Sequence, residues 1–290
     1  MTIGVVGASG LVGTAVRAAL EKHGHEWIGF SRTPKGKEGE WRSLEEGFAG
    51  VDAVVNVAGE SIAKRWSDQS KKLFHQSRVG LTESIVKSLK GMAKDERPKV
   101  LINASAVGYY GDQGASVLTE ASELGKGYLA DLCEEWEAVA EKAQSLGVRV
   151  VLGRIGVVLG EDSEAWKKMK MGFSLGMGGR LGDGEQFWPV VHLDDVAGGI
   201  LHCLDQDYIH GPVNLVGPTT VTNAVFTDTL GAVLKRPTVL TVPAFVLKVV
   251  FGDFADALLA SYRVEPTILE KSGYNFLHPD LAGLLVSLKG

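Results

Sequence analysis

Cysteine is nearly absent: Cys133 and Cys203 are the two in 290 residues. They lie far apart, each inside an apolar-periodic stretch. They offer no disulfide framework, and both are expected to be small core residues of a reducing compartment. Histidine is sparse, with seven scattered residues and no metal-ligand spacing. No sign of charge dominates, since 30 Lys and Arg against 35 Asp and Glu leave a net charge of −5. That balance argues against a nucleic-acid or anionic-membrane surface. Long hydrophobic runs are missing. The most apolar late stretch, Val242 to Phe251, is broken by Lys248 and has about half the length of a membrane span. No repeat, low-complexity tract or leader pattern is evident, and a cytoplasmic location is the expectation. The chain is long enough for a large core, as one domain or two lobes.

What is present begins at once. An apolar strand, Ile3 to Val6, runs into Gly7, Gly10 and Gly13, and Val12, Ala15, Val16, Ala19 and Leu20 follow at helical spacing. Glycines at that spacing permit a tight turn and close approach of a ligand. The free N–H groups and the positive dipole end of the following helix suit a pyrophosphate. This strand–turn–helix context predicts a dinucleotide site.

The first half alternates strand and helix. Strands are predicted at Ile3–Val6, Trp27–Phe30, Ala53–Val57, Val100–Ala104 and Val148–Leu152, and helices at Leu11–Lys22, Asp68–Lys90 and Leu129–Leu146. Short apolar runs alternating with helices imply an α/β fold, a Rossmann-type doubly wound parallel sheet with right-handed crossovers. Beyond Arg154 the texture changes. Six glycines fall between Gly172 and Gly184, and the apolar anchors among them predict an ordered, tight-turning loop over a pocket. A helix at Asp194–Leu204, a strand at Val213–Val216 and a helix at Thr222–Leu234 follow. Tail helices are expected near Ala244–Phe251, Ala255–Tyr262 and Pro279–Leu288. The expected division assigns 1–155 and about 190–208 to a nucleotide-binding domain. A smaller substrate-side lobe takes 156–189 and 209–290.

The end of the second strand selects the cofactor. An acid there would hold the ribose hydroxyls of NAD, but the chain has Ser31-Arg32-Thr33. Arg32 offers a planar fork of donors for a 2′-phosphate, and the Ser31 hydroxyl adds another bond, so NADP(H) is expected. The third strand ends Asn56-Val57-Ala58-Gly59-Glu60. Its small residues leave room for the cofactor against the backbone.

These motifs resemble the extended short-chain dehydrogenase/reductases, which include sugar-nucleotide epimerases and dehydratases. The matches are Gly7-x-x-Gly10-x-x-Gly13, Asn56-x-Ala58-Gly59, Tyr110-Gly111 and Val191-His192-Leu193-Asp194-Asp195-Val196-Ala197. More closely, the chain resembles the atypical "epimerase family protein" branch. Ala58-Gly59-Glu60-Ser61-Ile62, Arg65-Trp66, Ser77-Arg78, Ser105 through Gly111, Trp136-Glu137, Arg154-x-Gly156 and Asn214 carry that likeness, and the tail from Arg236-Pro237 to Gly273-Tyr274 extends it.

The resemblance implies a Ser/Thr–Tyr–Lys set. The tyrosine acts as acid or base, the lysine lowers its pKa and binds the nicotinamide ribose, and the hydroxyl residue holds the reacting oxygen. Here the set is incomplete. The hydroxyl position falls on Ala106, with Ser105 one place away and so on the opposite strand face unless the strand bulges. The tyrosine position falls on Tyr128, and four residues later stands Leu132. The catalytic candidates are therefore Tyr128, Ser105 and Glu60. The expected cofactor contacts are Gly7, Ser9, Gly10, Leu11, Val12, Gly13, Ser31, Arg32, Val57, Ala58, Gly59, Ser105, Tyr128 and Arg154. Arg65 and Arg78 are candidates for anion binding or for ion pairs within the fold. His192 with Asp194-Asp195 reads as a strand followed by an Asp-capped helix rather than a triad. Two functions remain open: an NADP(H)-dependent epimerase or oxidoreductase with a nonstandard site, or a nucleotide-binding protein that acts through a partner. A small-molecule substrate and a monomer or homodimer are expected.

Overall fold

The computed structural model describes residues 1–31 and 40–289. Within them, seven strands form one all-parallel sheet: β1 (Thr2–Val6), β2 (Glu26–Ser31), β3 (Trp41–Ser43), β4 (Ala53–Asn56), β5 (Val100–Ala106), β6 (Arg149–Ile155) and β7 (Gly211–Leu215). Their spatial order is β7-β6-β5-β4-β1-β2-β3. The chain thus winds outward in one direction from β1 and in the other from β4. The β1–β4 boundary is the switch point at which doubly wound sheets bind ligands.

Both faces of the sheet are covered, so the middles of its strands are mainly apolar, with Asn56, Ser105, Arg154 and Asn214 among the buried polar exceptions toward their carboxyl ends. On one face α1 (Leu11–Lys22) and α6 (Leu193–Asp205) bury Val16, Leu20, Val196, Ile200 and Leu204 against Ile3, Val5 and Val55. On the other, α3 (Leu81–Gly91) and α4 (Tyr128–Glu141) bury Ile85, Leu89 and Ala140 against Val54, Leu101 and Val150. The predicted helix over 68–90 is α2 (Asp68–His75) and α3 joined by a π-helical turn, Gln76–Gly80. β5 and β6 run longer than expected, because strand pairing extends their carboxyl ends to Ala106↔Ile155.

A smaller core, with Leu159, Trp166, Phe173, Phe226, Leu230, Leu284 and Leu285, forms between α5 (Glu164–Ser174), α7 (Asn223–Leu234) and α11 (Leu281–Ser287). The tail adds α8 (Ala244–Phe251), α9 (Phe254–Leu259) and α10 (Thr267–Lys271). The expected division needs one correction. Residues 211–215 belong to the central sheet, where β7 pairs with β6 from Gly211↔Val151 to Leu215↔Ile155. Among the described residues, no helix is long and apolar enough to cross a membrane. Cys133 and Cys203 are buried and unbridged, and burial pushes their thiols up to about 11 and about 12.

Candidate cofactor and active site

The Gly7–Gly13 turn lies against the end of β4. Gly7 adopts φ +85°, and a Cβ there would stand 2.7 Å from the Ala58 backbone. A Cβ on Gly13 would stand 2.1 Å from the Gly7 carbonyl oxygen. Only glycine fits either place. Gly10 opens α1 with no side-chain cap, and no acid occupies the first turn. Ser9 and Gly10 are exposed, and Leu11 and Val12 are half-buried at the same helix mouth. A glycine cradle beneath an uncapped helix start fits an anionic pyrophosphate. Val57 and Ala58 are half-buried beside it and Gly59 is exposed. Ser31 ends β2 beside Ser43. Arg32 lies outside the described residues.

Tyr128 opens α4 and lines a cavity of about 420 Å³ with Trp66, Lys71, Gly108, Asp112, Lys126 and Tyr262. Its hydroxyl donates to the Lys71 carbonyl at 3.2 Å, and its ring meets Trp66 edge-on at 5.3 Å. Burial raises its pKa above the ordinary phenol value, and Arg78 and then Lys71 oppose that rise. Leu132 is buried in an apolar cluster with Phe74, Val79 and Trp136, so no lysine stands one turn along. A larger groove, about 950 Å³, runs along α3 from Ser43 to Met92 and includes none of these groups.

The other candidates are engaged elsewhere. β5 does not bulge: Ser105 pairs with Arg154 and Ala106 with Ile155 in unbroken register. Ser105 therefore faces α4, where it donates to Glu137 at 2.5 Å, and it is 2% exposed. Arg154, expected at the cofactor, is buried in a two-pronged pair with Glu137 at 2.9 and 2.8 Å. It also donates to the Tyr110 hydroxyl at 3.0 Å and stacks over Tyr109. Burial works against its charge, but the bonds to Glu137 outweigh that and raise its pKa. Tyr110 in turn donates to Asn214, and burial pushes its phenol up to about 12. Glu60 is exposed beyond the end of β4, and its carboxylate takes Lys64 at 2.7 Å. Arg65 donates to the Val249 carbonyl near the end of α8, so it holds the tail. His192 accepts the Asp194 N–H through Nδ1 and caps α6. His278 and Asp194 gather near it, but that nitrogen is already engaged.

The Gly172–Gly184 segment is ordered, as expected, but it does not line the 420 Å³ cavity. It ends α5 and then pairs, as Gly179–Leu181, with Leu240–Val242. The cavity's outer wall comes instead from α9 and the residues beside it, Asp253 to Tyr262.

Residues 3–217 match the NAD dependent epimerase/dehydratase family. The chain belongs to that family. Residues 242–288 also match a domain of unknown function, DUF1731, which spans α8 to α11. "Epimerase family protein Mb2239" of Mycobacterium bovis is 40% identical over 285 residues, covering 95% of this chain and 93% of its own. The crystal structure of human epimerase family protein SDR39U1 (isoform 2) with NADPH superposes with a TM-score of 0.92 at 33% identity, covering 99% of each chain. UDP-N-acetylglucosamine 4-epimerase from Bacillus cereus shares the fold, at a TM-score of 0.78 and 17% identity over 100% of both chains.

One role at this site escapes sequence reasoning: Glu137, quoted there only for its family likeness, binds Ser105 and Arg154, although it falls on the same helical stripe as the buried Ala130, Cys133 and Ala140. An acid on an apolar stripe signals a buried ion pair. Arg78 is a candidate for anion binding or an ion pair. It sits in the π-helical turn with its guanidinium against Gly59 and Trp136.

Proposed function

We propose that this chain binds NADP(H) across the β1–β4 switch point and acts on a small molecule held in the cavity beside Tyr128. The observation that carries the reading is the Gly7–Gly13 turn, pressed against Ala58 so closely that a side chain at Gly7 or Gly13 has no room. NADPH, when bound, supplies a hydride. The backbone at Gly10–Gly13 would receive the pyrophosphate, and Val57 to Gly59 would flank the ribose and nicotinamide side. Ser31 and Arg32 would receive the 2′-phosphate. Tyr128 would present its hydroxyl to the substrate oxygen. Its raised pKa keeps it protonated near neutral pH, so it serves as a proton donor in reduction more readily than as a base in oxidation.

A second reading is a nucleotide-binding regulator that acts through a partner. Leu132 in the lysine position and Ser105 held by Glu137 favour it.

Calorimetric titration tests the cofactor reading. Wild type binds NADPH more tightly than NADH, and Arg32→Ala removes roughly 2 kcal/mol from NADPH alone. Equal affinities for the two cofactors in wild type would refute the preference. Scanning NADPH oxidation against carbonyls and nucleotide sugars separates enzyme from regulator, because the regulator binds without turnover.

A further inference from the structure

The charges around the cavity beside Tyr128 do not suit a phosphate. Three of its lining residues are acids, Asp112, Asp253 and Asp256, and two are lysines, Lys71 and Lys126. Lys71 and Asp253 neutralise each other at 2.9 Å, and Asp256 takes Lys248 at 3.0 Å. Asp112 accepts from the backbone N–H groups of Gly114 at 3.1 Å and Ser261 at 3.2 Å. Lys126 makes no ion pair among the described residues. The two charges left over, Asp112 and Lys126, are of opposite sign and cancel in sum. Among the described residues, no arginine lines the cavity. Arg65 instead donates to the Val249 carbonyl at 2.9 Å, and Arg154 is locked to Glu137. A sugar nucleotide brings two negative charges on its diphosphate, for which the arginine fork is the usual partner. α4 begins in this cavity without a side-chain cap, but Asp131 stands in its first turn and offsets the positive end of the dipole.

The rest of the lining is apolar. Asp112, Lys126, Asp253 and Asp256 are exposed, whereas Trp66, Leu129, Ala257 and Leu259 are half-buried and Ala260 is buried. Trp66 gives its only polar hydrogen to the Ile62 carbonyl at 2.9 Å, so its ring is left as apolar surface. That ring meets Tyr128 edge-on at 5.3 Å and Phe254 at 5.9 Å. Burial pushes the Tyr262 phenol up to about 12 and keeps it neutral. The Tyr128 hydroxyl rests on the Lys71 carbonyl at 3.2 Å, a long bond for a hydroxyl donor, which a substrate oxygen can replace. The volume of about 420 Å³ lies toward the small end for ligand pockets.

We propose that the substrate of this site is an apolar, ring-bearing carbonyl compound without phosphate groups, and that sugar nucleotides are excluded from it. The proposal rests on the reading that NADP(H) binds at the switch point, and names the substrate class for that reading. The ring would pack against Trp66 and the α9 wall at Ala257 and Leu259, and the carbonyl oxygen would accept from Tyr128. In reduction the carbonyl carbon gains a hydride and its oxygen gains the Tyr128 proton. Water returns a proton to the phenolate, and an alcohol and NADP⁺ result.

Calorimetric titration of the full chain saturated with NADP⁺, which cannot reduce a ketone, compares 4-phenyl-2-butanone with UDP-glucose. The ketone should bind at least about tenfold more tightly, because the diphosphate meets carboxylates and no arginine. Ala257→Trp fills the cavity from α9 and should weaken the ketone roughly tenfold, while NADP⁺ still binds and reports that the variant folds. UDP-glucose that binds as tightly as the ketone overturns the proposal. So does a ketone that does not bind, or one whose binding Ala257→Trp leaves unchanged. If Ala257→Trp does not fold, the order of the two ligands on wild type decides. NADP⁺ is titrated first, so failure of the cofactor reading appears separately as wild type that does not take it, and the two ligands are then compared on the chain alone.

Discussion

Glu137 stands where the pattern of α4 calls for an apolar side chain. It accepts from Ser105 and twice from Arg154, and both Glu137 and Arg154 are more than nine-tenths buried. A buried pair contributes little against an apolar replacement of both partners, but breaking it strands a charge. Glu137→Gln should therefore destabilise the fold by about 3 kcal/mol, read as a lowered urea midpoint at unchanged slope. Replacing both members, as Glu137→Leu with Arg154→Met, should recover much of that loss. A single variant as stable as wild type would show that the pair carries no such role. Local chemistry made part of this site legible. The glycines announced their turn because only they tolerate φ +85° at Gly7 and the contact at Gly13. The absence of a lysine at Leu132 was equally plain. What Ser105 and Arg154 do was not, since strand alternation says which face a side chain takes and not which partner waits there.

At the scale of elements, α1 and α8 agree in full with their predicted ranges, because glycine, proline and apolar spacing marked their ends. The stretch 68–90 was less legible. A helical period of 3.6 fits most of it, and the single long step at Phe74–Val79 is a weak signal inside a long helix. The junction of α6 with the tail left no periodic trace at all. Asp195, buried in the first turn of α6, accepts from the Leu277 N–H at 2.7 Å, the His278 N–H at 3.0 Å and the Tyr274 hydroxyl at 3.1 Å. Only tertiary contact brings those donors there. Asp195→Asn keeps the shape but forfeits charge-assisted bonds and should cost about 2 kcal/mol. Hydrogen exchange at Leu277 and His278 should quicken well before exchange in β1 or β5 does. Uniform acceleration across the sheet would argue that the tail does not open separately.

For the whole molecule, acid sensitivity follows from His192. Burial, and then the neighbouring His278, hold its pKa below the ordinary 6.5. The unfolded chain therefore binds the proton more readily. His192 contributes its full share of stability above about 6.5 and loses it as pH falls through the lower folded value. His192→Asn retains a cap for α6 without a titrating ring. The melting temperature of wild type should fall more steeply than that of the variant between about pH 7 and about pH 5. Parallel slopes would remove His192 from the account. His202, whose pKa burial also lowers, is present in both proteins and cancels in the comparison.

The meeting of Gly7 with Ala58 has a kinetic side. The two residues are distant along the chain and touch only once β1 and β4 have paired side by side. Contacts between remote segments are late to form. A cofactor that lies over the mouth of this contact finds no place to bind until the sheet is assembled, so it cannot speed assembly. It acts on the reverse journey, as a latch that lengthens the lifetime of the folded chain.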